Sequence, residues 1–410
     1  MSLTSGENFF ISAGEYSGDL LGADLVVALR DHFPKLAPFG IGGPAMTSCG
    51  VQTVATIDQL GMMGIIEVAA RLADLRMIET TVLQRIEIMK PQFAVLIDFA
   101  GFHLRLAEQL KARGVRVFQY VAPKLWAWGG KRAAALRRDF VGVLGVLPFE
   151  EDFFRRNDVP YTYVGSPHKD RAGKVRYRRD LLGFPATAQL IGCLPGSRMD
   201  EVRRMAPWIR AVAQVVRESM PEARFVVPVA PSLDFARVVA EFGGEAEASD
   251  GSRRVECGAF TFVSGMSLEV MSAADAAIVA SGTATLECGL LGTPMVVIYE
   301  MNEISYALAQ RLVKLQWVSL VNLIAGREVV REYIQTIPVA DVARELLDLV
   351  RPTPRRAAMC ADLENLRGGL VGGAAGNAAS AIARIAEKSG LSLATFTDST
   401  RGHAPPSTGR

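Results

Sequence analysis

The amino-acid sequence predicts an α/β protein of two domains, each a largely parallel sheet flanked by helices. Wholly apolar runs such as Phe93-Ala94-Val95-Leu96-Ile97 and Ala276-Ala277-Ile278-Val279 read as strands buried on both faces. Several such runs lead through small-residue turns into helical patterns, an alternation that gives α/β layers, and the 38 glycines fit the tight turns this requires. A chain of 410 residues also exceeds what one core usually serves.

In order, Phe9 to Ala13 is a strand, Gly14-Glu15-Tyr16-Ser17-Gly18-Asp19 a glycine turn, and Leu21, Leu25, Ala28 and Leu29 one face of the helix that follows. At the carboxyl edge of a parallel sheet such a turn is where ligands bind, yet it lacks the G-x-G-x-x-G dinucleotide pattern. Glu15 and Asp19 either orient sugar hydroxyls there, or Asp19 is a helix cap. Pro38 to Gly43 reads as a second strand and turn. Asp98 ends the strand Phe93 to Ile97, where a carboxylate is placed to take a proton from a hydroxyl or to bind a neighbouring loop. Val115 to Tyr120 is the next strand, followed by Pro123-Lys124-Leu125-Trp126-Ala127-Trp128, whose tryptophans line a cleft or pack between domains. The segment Pro160 to Gly165 closes the first α/β unit. A charged stretch from Lys169 to Asp180 marks a boundary and reads chiefly as a solvated face.

The second unit opens near Gln189, and Leu194-Pro195-Gly196-Ser197-Arg198 precedes a helix carrying Val202, Met205, Ile209, Val212 and Val216. Arg198 suits phosphate oxygens, being a permanent planar cation, or pairs with Asp200 or Glu201. Arg224 to Val229 continues the sheet. The stretch Ala280 to Glu287, ASGTATLE, then presents backbone N–H groups and the hydroxyls of Ser281 and Thr283 at a helix start, where anions are favoured, while Gly282 admits close approach. Glu287, four residues after Thr283, shares its helix face and could accept two hydrogen bonds from a ribose. The bland alternative is an ordinary cap with a solvated acid. Met295 to Tyr299 is the following strand.

A net charge of +2 gives no general nucleic-acid signal. Five scattered cysteines without metal-ligand spacing point to a reducing compartment and structural thiols, and no apolar run reaches membrane-spanning length. The expectation is a cytoplasmic protein free to bind a membrane surface.

At this point the residues resemble the lipid-A-disaccharide synthase family, from about Ile11 to Ala386. The landmarks are AGEYSGDLLGA, GGPAM at Gly42 to Met46, GMMGIIEV at Gly61 to Val68, ID at Ile97-Asp98, YVAPKLWAW, LPFE, LPGSR, ASGTATLE and SLVNLIAGREVV at Ser319 to Val330. Their order and spacing across both halves make the resemblance specific. It implies a GT-B fold: two Rossmann-like domains facing a central cleft, with the C-terminal helix, Ala374 to Lys388, returning to the first domain. The domains implied are 1–168 for the acceptor and 186–355 for the UDP-sugar donor. A linker, 169–185, joins them, and C-terminal helices, 356–388, and a flexible tail, 389–410, follow.

The activity implied is inverting transfer from UDP-2,3-diacylglucosamine to the 6-hydroxyl of 2,3-diacylglucosamine 1-phosphate, with no metal and no cofactor. The resemblance makes Asp98 the general base with Glu15 beside it in the catalytic set. It assigns Arg198, Ser281, Gly282, Thr283, Glu287 and Asn322 to the donor. Asp19, Met62, Met63, Ile65, Ile66, Leu72 and Leu75 face acceptor or lipid at the inner face of the inner membrane, although helical spacing in that segment also fits core. A homodimer exchanging C-terminal segments is a further implication. The chain departs from the family pattern at Ala100-Gly101-Phe102-His103, at Gly129 after WAW and at Gly165-Ser166-Pro167-His168, leaving His103 and His168 as compensating or structural histidines. Another GT-B enzyme, such as a UDP-sugar epimerase or a lipid-sugar transferase, and a non-catalytic nucleotide-sugar sensor are the alternatives.

Overall fold

A computed structural model of the chain describes residues 8–61, 68–128, 132–175, 179–245, 254–303, 306 and 316–388. Met62, Met63, Ile65 and Ile66, the glycine at 129 and the tail from 389 onwards lie outside the described residues, as does the side chain of Leu72. Among the described residues there are two seven-stranded sheets. The first contains β1 (Asn8–Ala13), β2 (Ala37–Gly42), β3 (Gln52–Thr56), β4 (Phe93–Ile97), β5 (Arg116–Tyr120), β6 (Gly142–Gly145) and β7 (Tyr161–Tyr163), in the order β3-β2-β1-β4-β5-β6-β7 and parallel throughout.

The second contains β8 (Leu190–Leu194), β9 (Arg224–Val229), β10 (Arg254–Cys257), β11 (Phe260–Ser264), β12 (Ala276–Ala280), β13 (Met295–Tyr299) and β14 (Glu332–Ile334), in the order β10-β11-β9-β8-β12-β13-β14. Only the β10–β11 pair is antiparallel. The central strands are buried along their whole length, as their unbroken apolar composition requires.

Among the parallel strands the order reverses direction between β1 and β4 in the first sheet and between β8 and β12 in the second. At such a reversal the helices after the two strands pass to opposite faces, and a crevice opens outside their carboxyl ends. The turn at Gly14-Glu15 and the Asp98-Phe99 pair flank one crevice. Pro195 to Arg198 and Ser281 to Thr283 flank the other.

The helix Ala374–Lys388 returns to the first unit and packs on the helix Tyr16–His32. Its start is fixed by Asp170, whose carboxylate accepts from the Gly373 and Ala374 N–H groups at 2.6 and 2.8 Å, and by Asn377, which donates to the Val164 carbonyl at 3.0 Å. The charged stretch after β7 is therefore more than a solvated face. Arg179 is buried there and donates to the Ala273, Ala186 and Ala188 carbonyls and to Asp275, because a buried guanidinium must satisfy its donors. All five cysteines are free thiols, with Cys193 and Cys288 in the core.

Candidate functional site

The first crevice holds a pocket of about 70 Å³ between Gly14, Glu15, Gly18, Ile97, Asp98 and Phe99. Asp98 and Phe99 are both left-handed, with φ of 50° and 47°, so the chain turns sharply as it leaves β4 and the Asp98 carboxylate emerges toward the crevice. Burial of its surroundings raises the Asp98 carboxyl above the ordinary carboxylate range; the Lys124 ammonium opposes this, Glu15 adds to it, and the Phe99 N–H opposes it again. Gly14 is required by this packing: a Cβ there would stand 2.2 Å from the Phe99 ring.

Asp19 does not face the crevice. It is wholly buried, and its carboxylate accepts from the Gly43, Ala45 and Met46 N–H groups at 2.7, 2.9 and 3.1 Å. It holds the start of the helix Pro44–Ser48 and does not cap its own helix, whose N-cap is Glu15. Trp126 packs inside the first unit, edge-on to Phe149 at 4.9 Å, and donates its indole N–H to Glu150 at 2.9 Å.

In the second crevice Arg198 precedes the helix Met199–Ser219 and Gly282 precedes the helix Thr283–Leu291. Gly282 has φ of 137°, a region that favours glycine, while nothing stands within 4 Å of an added Cβ. Thr283 is exposed, and the Ser281 hydroxyl donates to the Val318 carbonyl at 3.4 Å. Glu287 is buried, with Oε1 accepting from His168 Nδ1 at 3.0 Å and lying 3.6 Å from Arg171. Burial alone would push its carboxyl up, but the His168 hydrogen bond and the His168 and Arg171 charges together hold it below the ordinary value.

Asn322 is wholly buried. Its oxygen accepts from the Val329 and Val330 N–H groups, and its amide donates to the Val330 carbonyl and to Glu332. It holds the loop behind Ser281 rather than facing the crevice. Leu75 is half-buried against the first core, whereas Met77 and Ile88, on the same helix Val68–Met89, are 64% and 70% exposed.

Among the described residues an ion pair joins the two crevices. Arg198 Nη2 lies 3.6 Å from Glu15 Oε1, and its other side pairs with Glu201 at 3.5 Å. Glu201 also fixes the loop, accepting from the Ser197 N–H at 3.0 Å. Two carboxylates, a guanidinium and a helix start are thus gathered at the carboxyl edges of two doubly wound sheets. The sequence offered no pointer to Gln119 or Lys124 as neighbours of Asp98, since each is one polar residue in or after a strand. A larger cavity of about 410 Å³ lies at the amino edge of the second sheet, beside Phe184 and Arg254, away from these groups.

This architecture defines the class. The glycotransferase of kitacinnamycin superposes with a TM-score of 0.60 at 15% identity, over 93% of this chain and 100% of that one. UDP-GlcNAc 2-epimerase from Neisseria meningitidis, solved bound to UDP-GlcNAc, does so with a TM-score of 0.62 at 10% identity, over 93% and 100%. The fold is GT-B. The lipid-A-disaccharide synthetase family matches residues 9–351. The lipid-A-disaccharide synthase of Myxococcus xanthus (strain DK1622) is 37% identical over 372 residues, 90% of this chain and 94% of that protein. The chain belongs to the lipid-A-disaccharide synthetase family and is a glycosyltransferase.

Proposed function

We propose that the chain forms lipid A disaccharide by transferring the sugar of UDP-2,3-diacylglucosamine to the 6-hydroxyl of 2,3-diacylglucosamine 1-phosphate. Asp98 takes the hydroxyl proton as the oxygen attacks the anomeric carbon. The bond to UDP breaks on the opposite face, its electron pair leaves with the diphosphate, and the α linkage becomes β. Arg198 and the N–H groups opening the helix Thr283–Leu291 receive the developing negative charge. Glu287 offers its carboxylate to the ribose, and Asn322 supports that seat from behind. Glu15 holds Arg198 across the cleft until diphosphate competes for the guanidinium.

The observation that carries this reading is the 3.6 Å approach of Glu15 to Arg198, which joins an acid pair on one crevice to an anion seat on the other. Product analysis with UDP-diacylglucosamine, with and without acceptor, tests it. Disaccharide plus UDP supports transfer; isomerised donor would indicate an epimerase, and binding without turnover a sensor. The epimerase alternative rests on fold likeness at 10% identity and is not favoured.

Acyl substrates bring the enzyme to the inner face of the inner membrane as a peripheral protein, with the segment from Met62 to Leu75 and the exposed Met77 as the apolar contact. No described helix is long and apolar enough to cross a membrane. Ile66→Glu with Leu72→Glu lowers vesicle co-sedimentation while UDP binding holds; full vesicle binding in that variant removes the segment from this role. A homodimer exchanging C-terminal segments belongs to the same reading, and sedimentation velocity decides whether a dimer forms.

A further inference from the structure

Behind Asp98 lies a buried chain of polar groups that the mechanism above leaves unused. His103 is wholly buried, with Nδ1 2.8 Å from the Asp98 carbonyl oxygen and Nε2 2.8 Å from the Ser12 hydroxyl. A carbonyl only accepts, so Nδ1 carries the proton. Burial pushes the His103 pKa down to about 4, so the ring is neutral near pH 7 and Nε2 accepts from Ser12. The direction of the relay follows: Ser12 hydroxyl to His103 to the Asp98 carbonyl, crossing from β1 to β4 where the strand order reverses. Gln119 donates to the same carbonyl at 3.2 Å and to the Val121 carbonyl at 3.1 Å.

These bonds answer a question the backbone raises. Two consecutive left-handed residues other than glycine are strained, so Asp98 and Phe99 need something to hold them. Drawing the Asp98 carbonyl inward onto two buried donors does so, and directs the side chain outward into the crevice. The Phe99 ring then packs edge-on to the His103 ring at 5.9 Å and closes over Gly14.

We infer that His103 is a positioning residue for Asp98, setting the direction of its carboxylate through the backbone carbonyl. The inference rests on the reading of Asp98 as the general base. Two substitutions separate its two nitrogens. His103→Asn puts an amide N–H where Nδ1 was and gives up Ser12; His103→Gln reaches Ser12 and gives up the carbonyl. Each loses one buried hydrogen bond, so both should lower the melting temperature alike.

The expected result is kcat within about threefold of wild type for His103→Asn. For His103→Gln we expect kcat down about 10- to 100-fold, as for a reacting group misplaced by an ångström, with KM for both substrates and UDP affinity held. Equal kcat in the two variants, or losses in KM alone, would overturn the inference. A second arm does not depend on turnover. In protein labelled with carbon-13 aspartate, the Asp98 carboxyl titrates above the ordinary range in wild type and His103→Asn and falls toward it in His103→Gln. A wild type that makes no disaccharide defeats the functional reading, while this titration still decides the positioning role; an Asp98 titration unchanged in His103→Gln overturns it.

Discussion

Replacing Asp19 separates a structural anion from a sugar-binding one. In Asp19→Ala the Gly43 and Met46 N–H groups, both in buried hydrogen bonds, lose their acceptor, while the Ala45 N–H is only part-buried and can find water. A buried donor left unpaired costs about 1–3 kcal/mol, so the variant should lose about 3–5 kcal/mol once partial relaxation of the loop is allowed. For a unit of this size that lowers the unfolding temperature by roughly 10 °C. Asp19→Asn keeps one oxygen for Gly43 and Met46 but turns an amide toward the Ala45 N–H, and should cost about 1–2 kcal/mol. Thermal and urea unfolding, followed with hydrogen exchange at Ala45 and Met46, measure the loss, and turnover at 20 °C is compared on folded protein. The reasoning fails if the variants keep their stability and exchange protection while kcat falls more than about tenfold, the pattern of a lost transition-state contact.

Asp98→Asn should lower kcat by roughly a hundredfold or more, with UDP affinity held. Because the Asp98 carboxyl is raised and must be ionised to act as base, the acid limb of kcat should lie above the ordinary carboxylate range and turnover should rise with pH through it; a limb at the ordinary value contradicts the assignment. Glu287→Ala and Arg198→Ala should each weaken UDP binding, read by calorimetry, and unchanged affinity in both removes the donor seat. Since the Glu287 carboxyl is lowered, the stability it gives through His168 and Arg171 is present above the usual Glu pKa and lost as pH falls through its own lower value, a dependence Glu287→Gln abolishes. Glu150 behaves oppositely: burial pushes it up to about 7, and it keeps its proton while joined to Trp126 and Tyr161. Its contribution is full below the unfolded value and is lost as pH rises through about 7, so Glu150→Gln should flatten the fall in melting temperature across that range.

The strands of both sheets were readable where composition alone determines burial. Phe93 to Ile97, Arg224 to Val229 and Met295 to Tyr299 fall where their apolar runs end, since strands covered on both faces tolerate little else. The strands β3, β10 and β14 were not readable. Their burial alternates or stays partial, and their sequences carry charged and polar residues that also suit loops. The turns after β1, β4, β8 and β12 were legible as candidate loops because each follows a core strand. Their meeting was less visible in the letters, since it depends on the reversal of strand order.

Buried polar residues mark the limit more sharply. Asp19, His103 and Asn322 carry chemistry that a ligand-binding reading would claim, and the structure uses all three to hold backbone. Asp19 and His103 also take partners far off in sequence, so local spacing carries no trace of those partnerships. Asp19 caps a helix 24 residues ahead, and Ser12 reaches His103 across 91. The same economy accounts for Asp98. Its carbonyl is taken up by interior donors while its carboxylate lines the crevice, so the proposed base and its support belong to one residue and only the support needs the fold.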